Sequence, residues 1–95
     1  MKEMDAKQYI EERRQVIGRL KEVIVEQLAL EIEPEFIAND QPLFGRGLEL
    51  DSIDALELSV GVFTEFSVTI SDDETYVFDS VNRLADYIME NRDEE

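Results

Sequence analysis

Between Asp5 and Ala29 the chain has no proline and a single glycine, Gly18. Val16, Leu20, Val23, Ile24 and Leu28 recur there at spacings of three and four, which draws one apolar stripe along a helix. At ~1.5 Å of rise per residue, such a helix is roughly 37 Å long, more than the diameter of many small domains. A chain of 95 residues has room for one core and not two. Everything else must therefore pack along this helix, and with two further helical segments and one short turn along the chain the expectation is an all-α bundle. Asp5 is placed to cap it, with Gln8 at the third position completing a capping box. Before Val16 the apolar pattern thins to Met4, Tyr9 and Ile10. Residues 1–15 are expected to extend the first helix at the surface, because no breaker separates them from the stripe; a loose tail is the other reading.

The periodicity stops from Glu31 to Leu50, where Pro34, Pro42, Gly45 and Gly47 punctuate the chain. About twenty residues is long for a structureless connection. Short turns are therefore expected around Glu35–Ala38, with Ile32, Phe36, Ile37, Leu43, Phe44 and Leu48 anchoring the loop. A second helix is predicted from Ser52 to Phe66. Its Leu58, Val62 and Phe66 share one face at four-residue spacing, while Ile53, Leu56, Val60 and Phe63 share another. Ser71 or Asp72 is a candidate cap for a short helical turn through Val77, with Phe78 as an anchor after it. The final helix should span Ser80 to Asn91, with Val81, Leu84, Ala85 and Ile88 facing inward. The expected plan is a helical extension over 1–15, a folded domain over 16–91 and a disordered polar tail over 92–95.

Composition removes several functions. The chain has no cysteine and no histidine, hence no disulfide, no thiol nucleophile, no thiolate metal site and no imidazole base. That argues against self-contained catalysis. A formal net charge of −15 argues against nucleic acid as a partner. The charge is divided unevenly. Residues 1–21 hold six of the nine basic residues against four acids, whereas residues 22–95 hold three against twenty, a local balance of −17. With 43% apolar residues in periodic patterns, the chain reads as a folded acidic monomer that meets basic partner surfaces, and not as a disordered one. No stretch approaches the ~20 apolar residues of a membrane span, and the charged N-terminus lacks a signal peptide's apolar core. A cytoplasmic location without membrane insertion is the expectation. Asp72, Asp73, Glu74 and Asp79 lack the spacing of an EF-hand loop and read as a solvated acidic face, so no metal site is assigned.

The most specific motif is Asp51-Ser52-Ile53-Asp54-Ala55-Leu56-Glu57-Leu58, at the start of the second predicted helix. It resembles the prosthetic-group attachment site of acyl carrier proteins, whose Asp-Ser-Leu motif opens their second helix. Glu26-Gln27-Leu28, Leu43-Phe44, Leu48, Glu65-Phe66, Ile70 and Leu84-Ala85-Asp86-Tyr87-Ile88 carry the resemblance over about Val16 to Asn91. The first fifteen residues have no counterpart in minimal family members. Phe63 and Thr64 stand where many members have glutamates, and Ser67 where a glycine or small polar residue often follows Glu-Phe. Gly61 weakens the second helix by up to ~1 kcal/mol relative to alanine.

The resemblance implies an acyl-carrier-protein-like four-helix bundle with three main helices, one short helix and a long first loop. It implies that Ser52 bears 4′-phosphopantetheine, donated from coenzyme A by a phosphopantetheinyl transferase. Asp51 would help position the Mg²⁺ that the transferase uses, and Ser52 needs no base in its own chain. A serine at a helix N-terminus suits this role, because exposed backbone N–H groups and the helix dipole favour a phosphodiester there. Without the motif, the plain reading of Ser52 is a helix cap. The family docks its partners through the second helix, which implies a docking face of Ile53, Asp54, Leu56 and Glu57, widened here by Val60 and Phe63. Leu58, Val62, Phe66, Ile70, Phe78 and Ile88 are the candidate lining of an acyl pocket. The implied function is a stand-alone carrier of acyl thioesters for fatty acid, specialised lipid or polyketide synthesis. It would be acted on by acyl-transfer and chain-elongating enzymes with basic docking surfaces, and would catalyse nothing itself. Two alternatives stay open: an aminoacyl or peptidyl carrier, and an unmodified acidic interaction domain.

Overall fold

The structure is a computed structural model that describes residues 5–40, 42–43, 52–71 and 74–91, with the backbone alone at Ser52 and Thr75. It contains three α-helices: α1 (Ala6–Leu28), α2 (Ser52–Phe66) and α3 (Val81–Asn91). Single 3-10 turns occupy Pro34–Phe36 and Thr75–Phe78. The expected all-α bundle is present, and among the described residues the only β-type pairing is one antiparallel bridge between Pro42 and Ser80.

The Asp5 carboxylate accepts the Gln8 backbone N–H at 2.8 Å and caps α1. The Gln8 side-chain amide donates to Glu12, one turn further along the helix. α1 then crosses residue 15 without a break. It ends at Ala29, whose left-handed φ of 53° turns the chain while the N–H groups of Ala29 and Leu30 both reach the Val25 carbonyl. α1 packs against both α2 and α3. That double contact explains why Ile17 is buried beside the expected Val16, Leu20, Val23 and Ile24: a helix with two neighbours buries an arc wider than one stripe. Leu28 is half-buried at its end. Leu58 and Val62 of α2 belong to the same buried core as Val81, Leu84, Ala85 and Ile88 of α3. Each such aliphatic side chain removed from water contributes about 1.5–3 kcal/mol.

The first loop departs from expectation in two anchors. Phe36 is 75% exposed and Ile32 43% exposed, because the 3-10 turn carries Phe36 outward and puts Ile37 inward. Ile37 and Leu43 do the anchoring, both buried. Backbone bonds add to them: Asn82 donates to the Asn39 carbonyl at 2.7 Å, beside the Pro42–Ser80 bridge. Phe44 and Leu48 lie outside the described residues. The second turn also starts later than expected, at Thr75 after Glu74, and no side chain caps it. Ser71 instead exchanges bonds with Glu74, donating its N–H to the carboxylate and accepting the Glu74 N–H. Asp72 and the tail 92–95 lie outside the described residues. Phe78 is buried as the expected anchor. Ser80 caps α3, its hydroxyl accepting the Arg83 N–H at 3.1 Å.

The N-terminal part of α1 is fastened to α3. The Arg13 guanidinium donates to Asp86 from Nε (3.0 Å) and Nη2 (2.8 Å), and Nη2 also reaches the carbonyl and side-chain oxygens of Asn82. No helix among the described residues is long and apolar enough to cross a membrane.

Candidate functional site

α2 starts at Ser52 and presents two apolar faces. The inner face holds Leu58 and Val62, both fully buried, with Phe66 half-buried below them. The outer face holds Ile53, Leu56, Val60 and Phe63, exposed by 66%, 64%, 53% and 57%. Four large apolar side chains in a row on one helix face make a ridge that water covers in the isolated protein. A contiguous patch of this kind is the ordinary mark of an interaction surface. Glu57 is exposed beside the ridge and Asp54 is half-buried at its head. Val60 and Phe63 also border an apolar notch of about 190 Å³ completed by Ser59, Thr69 and Ile70. The notch was not legible in the sequence, because Thr69 and Ile70 reach it only through the turn after α2.

The inner face is held close to α1. A Cβ on Gly61 would lie 2.5 Å from Cγ of Gln27 and 2.9 Å from Cγ1 of Val23. The Gln27 amide donates to the Glu57 carbonyl at 3.0 Å, which ties the two helices beneath the ridge. At the far end Arg19 pairs with Glu65 at 2.8 Å and also with Glu22. The Glu65 bond, and then the Glu22 bond, raises the Arg19 guanidinium further above its ordinary value. In return Arg19 holds the Glu65 carboxyl below the usual carboxylate range. These groups are exposed, so the network orients side chains more than it stabilises the fold.

Of the six side chains named for an acyl pocket, Leu58, Val62, Ile70, Phe78 and Ile88 are buried in the single core, and Phe66 packs against it half-buried. A latch not foreseen from the sequence holds the segment beside Ile70. The Tyr87 hydroxyl donates to the Glu74 carboxylate at 2.8 Å and lies 3.2 Å from the Thr69 carbonyl. That bond, with the Ser71 N–H, lowers the Glu74 carboxyl from its ordinary value. Among the described residues no group of three or more carboxylates is placed to hold a metal ion; Asp72 and Asp73 lie outside them.

The Ser52 backbone opens a 15-residue helix, and the N-terminus of a helix presents backbone N–H groups and the positive end of the dipole. The placement of that side chain and the whole of Asp51 lie outside the described residues. A phosphate ester suits such a terminus, and the serine hydroxyl is the acceptor that such an ester needs. A family model described as "Phosphopantetheine attachment site" matches residues 18–88. The chain belongs to this phosphopantetheine carrier family. Its prosthetic group is a covalently attached 4′-phosphopantetheine, and carrier domains of this kind are not catalytic themselves. A carrier of this family interacts with a phosphopantetheinyl transferase and with the enzymes that use it. The match opens at Gly18, inside α1, so the first twelve residues of that helix and the Arg13 clamp precede it.

Proposed function

We propose that this phosphopantetheine carrier is a stand-alone acyl carrier protein of the cytoplasm, serving fatty acid, specialised lipid or polyketide synthesis, with Ser52 as its attachment residue. The thiol of the bound group supplies the thioester link that a cysteine-free chain has no means of forming. Ser52 contributes a hydroxyl at a helix end whose N–H groups hold the resulting phosphate. Asp51 serves the transferase by helping to place its Mg²⁺. Ile53, Asp54, Leu56, Glu57, Val60 and Phe63 receive the partner enzymes: the apolar side chains bury area and the two acids select basic surfaces. Leu58, Val62, Phe66, Ile70, Phe78 and Ile88 shelter the acyl chain by parting within the core.

The observation that carries this reading is the exposed ridge of α2, which begins one residue after Ser52 and runs about three turns down the helix. A ridge so near the attachment residue lets one docked enzyme reach both the arm and the face that recognises it. The test is incubation with coenzyme A, Mg²⁺ and a broad-specificity transferase, read by intact mass. Wild type should gain one phosphopantetheine and Ser52→Ala none; an unmodified wild type overturns the attachment reading. Loading and elongation at wild-type rates by Leu56→Ala and Glu57→Lys would overturn the docking face alone.

A further inference from the structure

One face of α1 stays open in the bundle. Ile10, Arg13, Arg14, Ile17, Gly18 and Lys21 follow one another at three- and four-residue steps and, with Asn39 opposite, line a groove of about 420 Å³. The stripe is roughly 16 Å long at ~1.5 Å per residue, about three helical turns. Ile17 forms its buried floor and Ile10, 57% exposed, its upper edge. Nothing lies within 4 Å of where a Cβ on Gly18 would stand. A mid-helix glycine costs up to ~1 kcal/mol of helix propensity, and at Gly18 no contact within the chain offsets it. Gly61 differs, because its missing Cβ is what lets α1 and α2 approach.

The charge of this groove runs against that of the molecule. Three of the six basic side chains among the described residues line it, and no acid does. Arg13 is engaged by Asp86 and Asn82. Among the described residues Arg14 pairs with Glu11 of its own helix, at 3.5 Å. Lys21 forms no ion pair with the described residues. An apolar floor, a gap for close backbone approach and cations along the rim fit one kind of occupant.

We infer that this groove docks an acidic amphipathic helix of a partner protein. The partner's apolar residues lie on Ile10 and Ile17, its backbone passes over Gly18, and its flanking carboxylates meet Arg14 and Lys21. This is helix-in-groove recognition, with charge opposite to that of the α2 ridge. A second copy presenting the same face would set Arg14 and Lys21 against cations, so the occupant is not this face of another copy. The site shares no residue with Ser52 or the ridge, and it stands or falls independently of the carrier reading.

The test uses the unmodified full-length protein and two labelled synthetic helical peptides with the same leucine stripe. One carries glutamates on its flanks and the other lysines. Fluorescence anisotropy should show the acidic peptide binding wild type. Binding should weaken about tenfold or more in Arg14→Glu/Lys21→Glu and in Gly18→Leu, and stay unchanged in Leu56→Ala. Thermal melts of each variant establish that it folds, and the charge variant decides the matter if Gly18→Leu does not. Failure of the acidic peptide to bind wild type overturns the inference, as does equal binding to wild type and both groove variants. Wild-type self-association in sedimentation, abolished by Arg14→Glu/Lys21→Glu, would make the occupant a second copy and overturn it too.

Discussion

Gly18 and Gly61 both lie inside helices, and their surroundings set opposite outcomes for the same substitution. Gly18→Ala adds a methyl group to open space and should stabilise the protein by about 0.5–1 kcal/mol through helix propensity. Gly61→Ala gains the same propensity but drives a Cβ into Gln27 and Val23. Gln27 is held by the Glu57 carbonyl and Val23 sits in the core, so neither yields freely. A net loss of about 1–3 kcal/mol is expected, as for other overpacked sites. Urea unfolding of both variants measures this, and a Gly61→Ala protein as stable as wild type would contradict the close approach. The sequence assigned Gly61 only a cost, since nothing local reveals that α1 crosses behind it. Ser67 was visible as an odd residue after Glu-Phe. Its φ of 60° gives the reason a glycine suits that place, because left-handed backbone crowds any Cβ.

At the scale of elements, α2 was legible to its bounds: a favoured cap residue opens it and two apolar faces run its length. The inner residues of α3 were legible for the same reason, since one clean period fills that helix. Irregular segments were less so. Phe36 looked like a loop anchor by size, yet a 3-10 turn has three residues per turn and sends it outward while Ile37 enters the core. The clamp between α1 and α3 was beyond sequence reading, as Arg13 and Asp86 stand 73 residues apart. The uneven charge split did not say which basic and acidic residues meet. Arg13→Ala should cost about 1 kcal/mol, because this pair is half-exposed and the two contacts to Asn82 are lost with it. A double-mutant cycle with Asp86→Ala should return a coupling of about 0.5–1 kcal/mol. A coupling of zero would mean that α1 holds its place by the apolar contacts alone.

For the molecule as a whole, twenty-four acids against nine bases make acid titration the informative axis. Glu74 is a carboxylate with defined partners on that axis. Its carboxyl is held low by Tyr87 and Ser71. A depressed folded-state pKa contributes stability above the ordinary carboxylate range and loses it as pH falls through the depressed value. Wild type should therefore exceed Glu74→Gln in stability at neutral pH, with the gap closing below about pH 4, the ordinary carboxylate range. Denaturant melts at stepped pH follow it, and a gap independent of pH would remove the ionised carboxylate from the latch. Of the candidate site, the motif pointed to Ser52 as a proposal, the two apolar faces of α2 foretold its exposed ridge, and only the three-dimensional placement of α1 disclosed the basic groove.

The Tyr87 latch also gives the protein an optical gauge. There is no tryptophan, and the three tyrosines are Tyr9, Tyr76 and Tyr87. Tyr9 and Tyr76 are exposed, whereas the Tyr87 phenol is bonded to a carboxylate, a contact that dims tyrosine emission. Whatever parts Glu74 from Tyr87 therefore brightens the protein's own ultraviolet fluorescence, and the release is readable in an unlabelled chain.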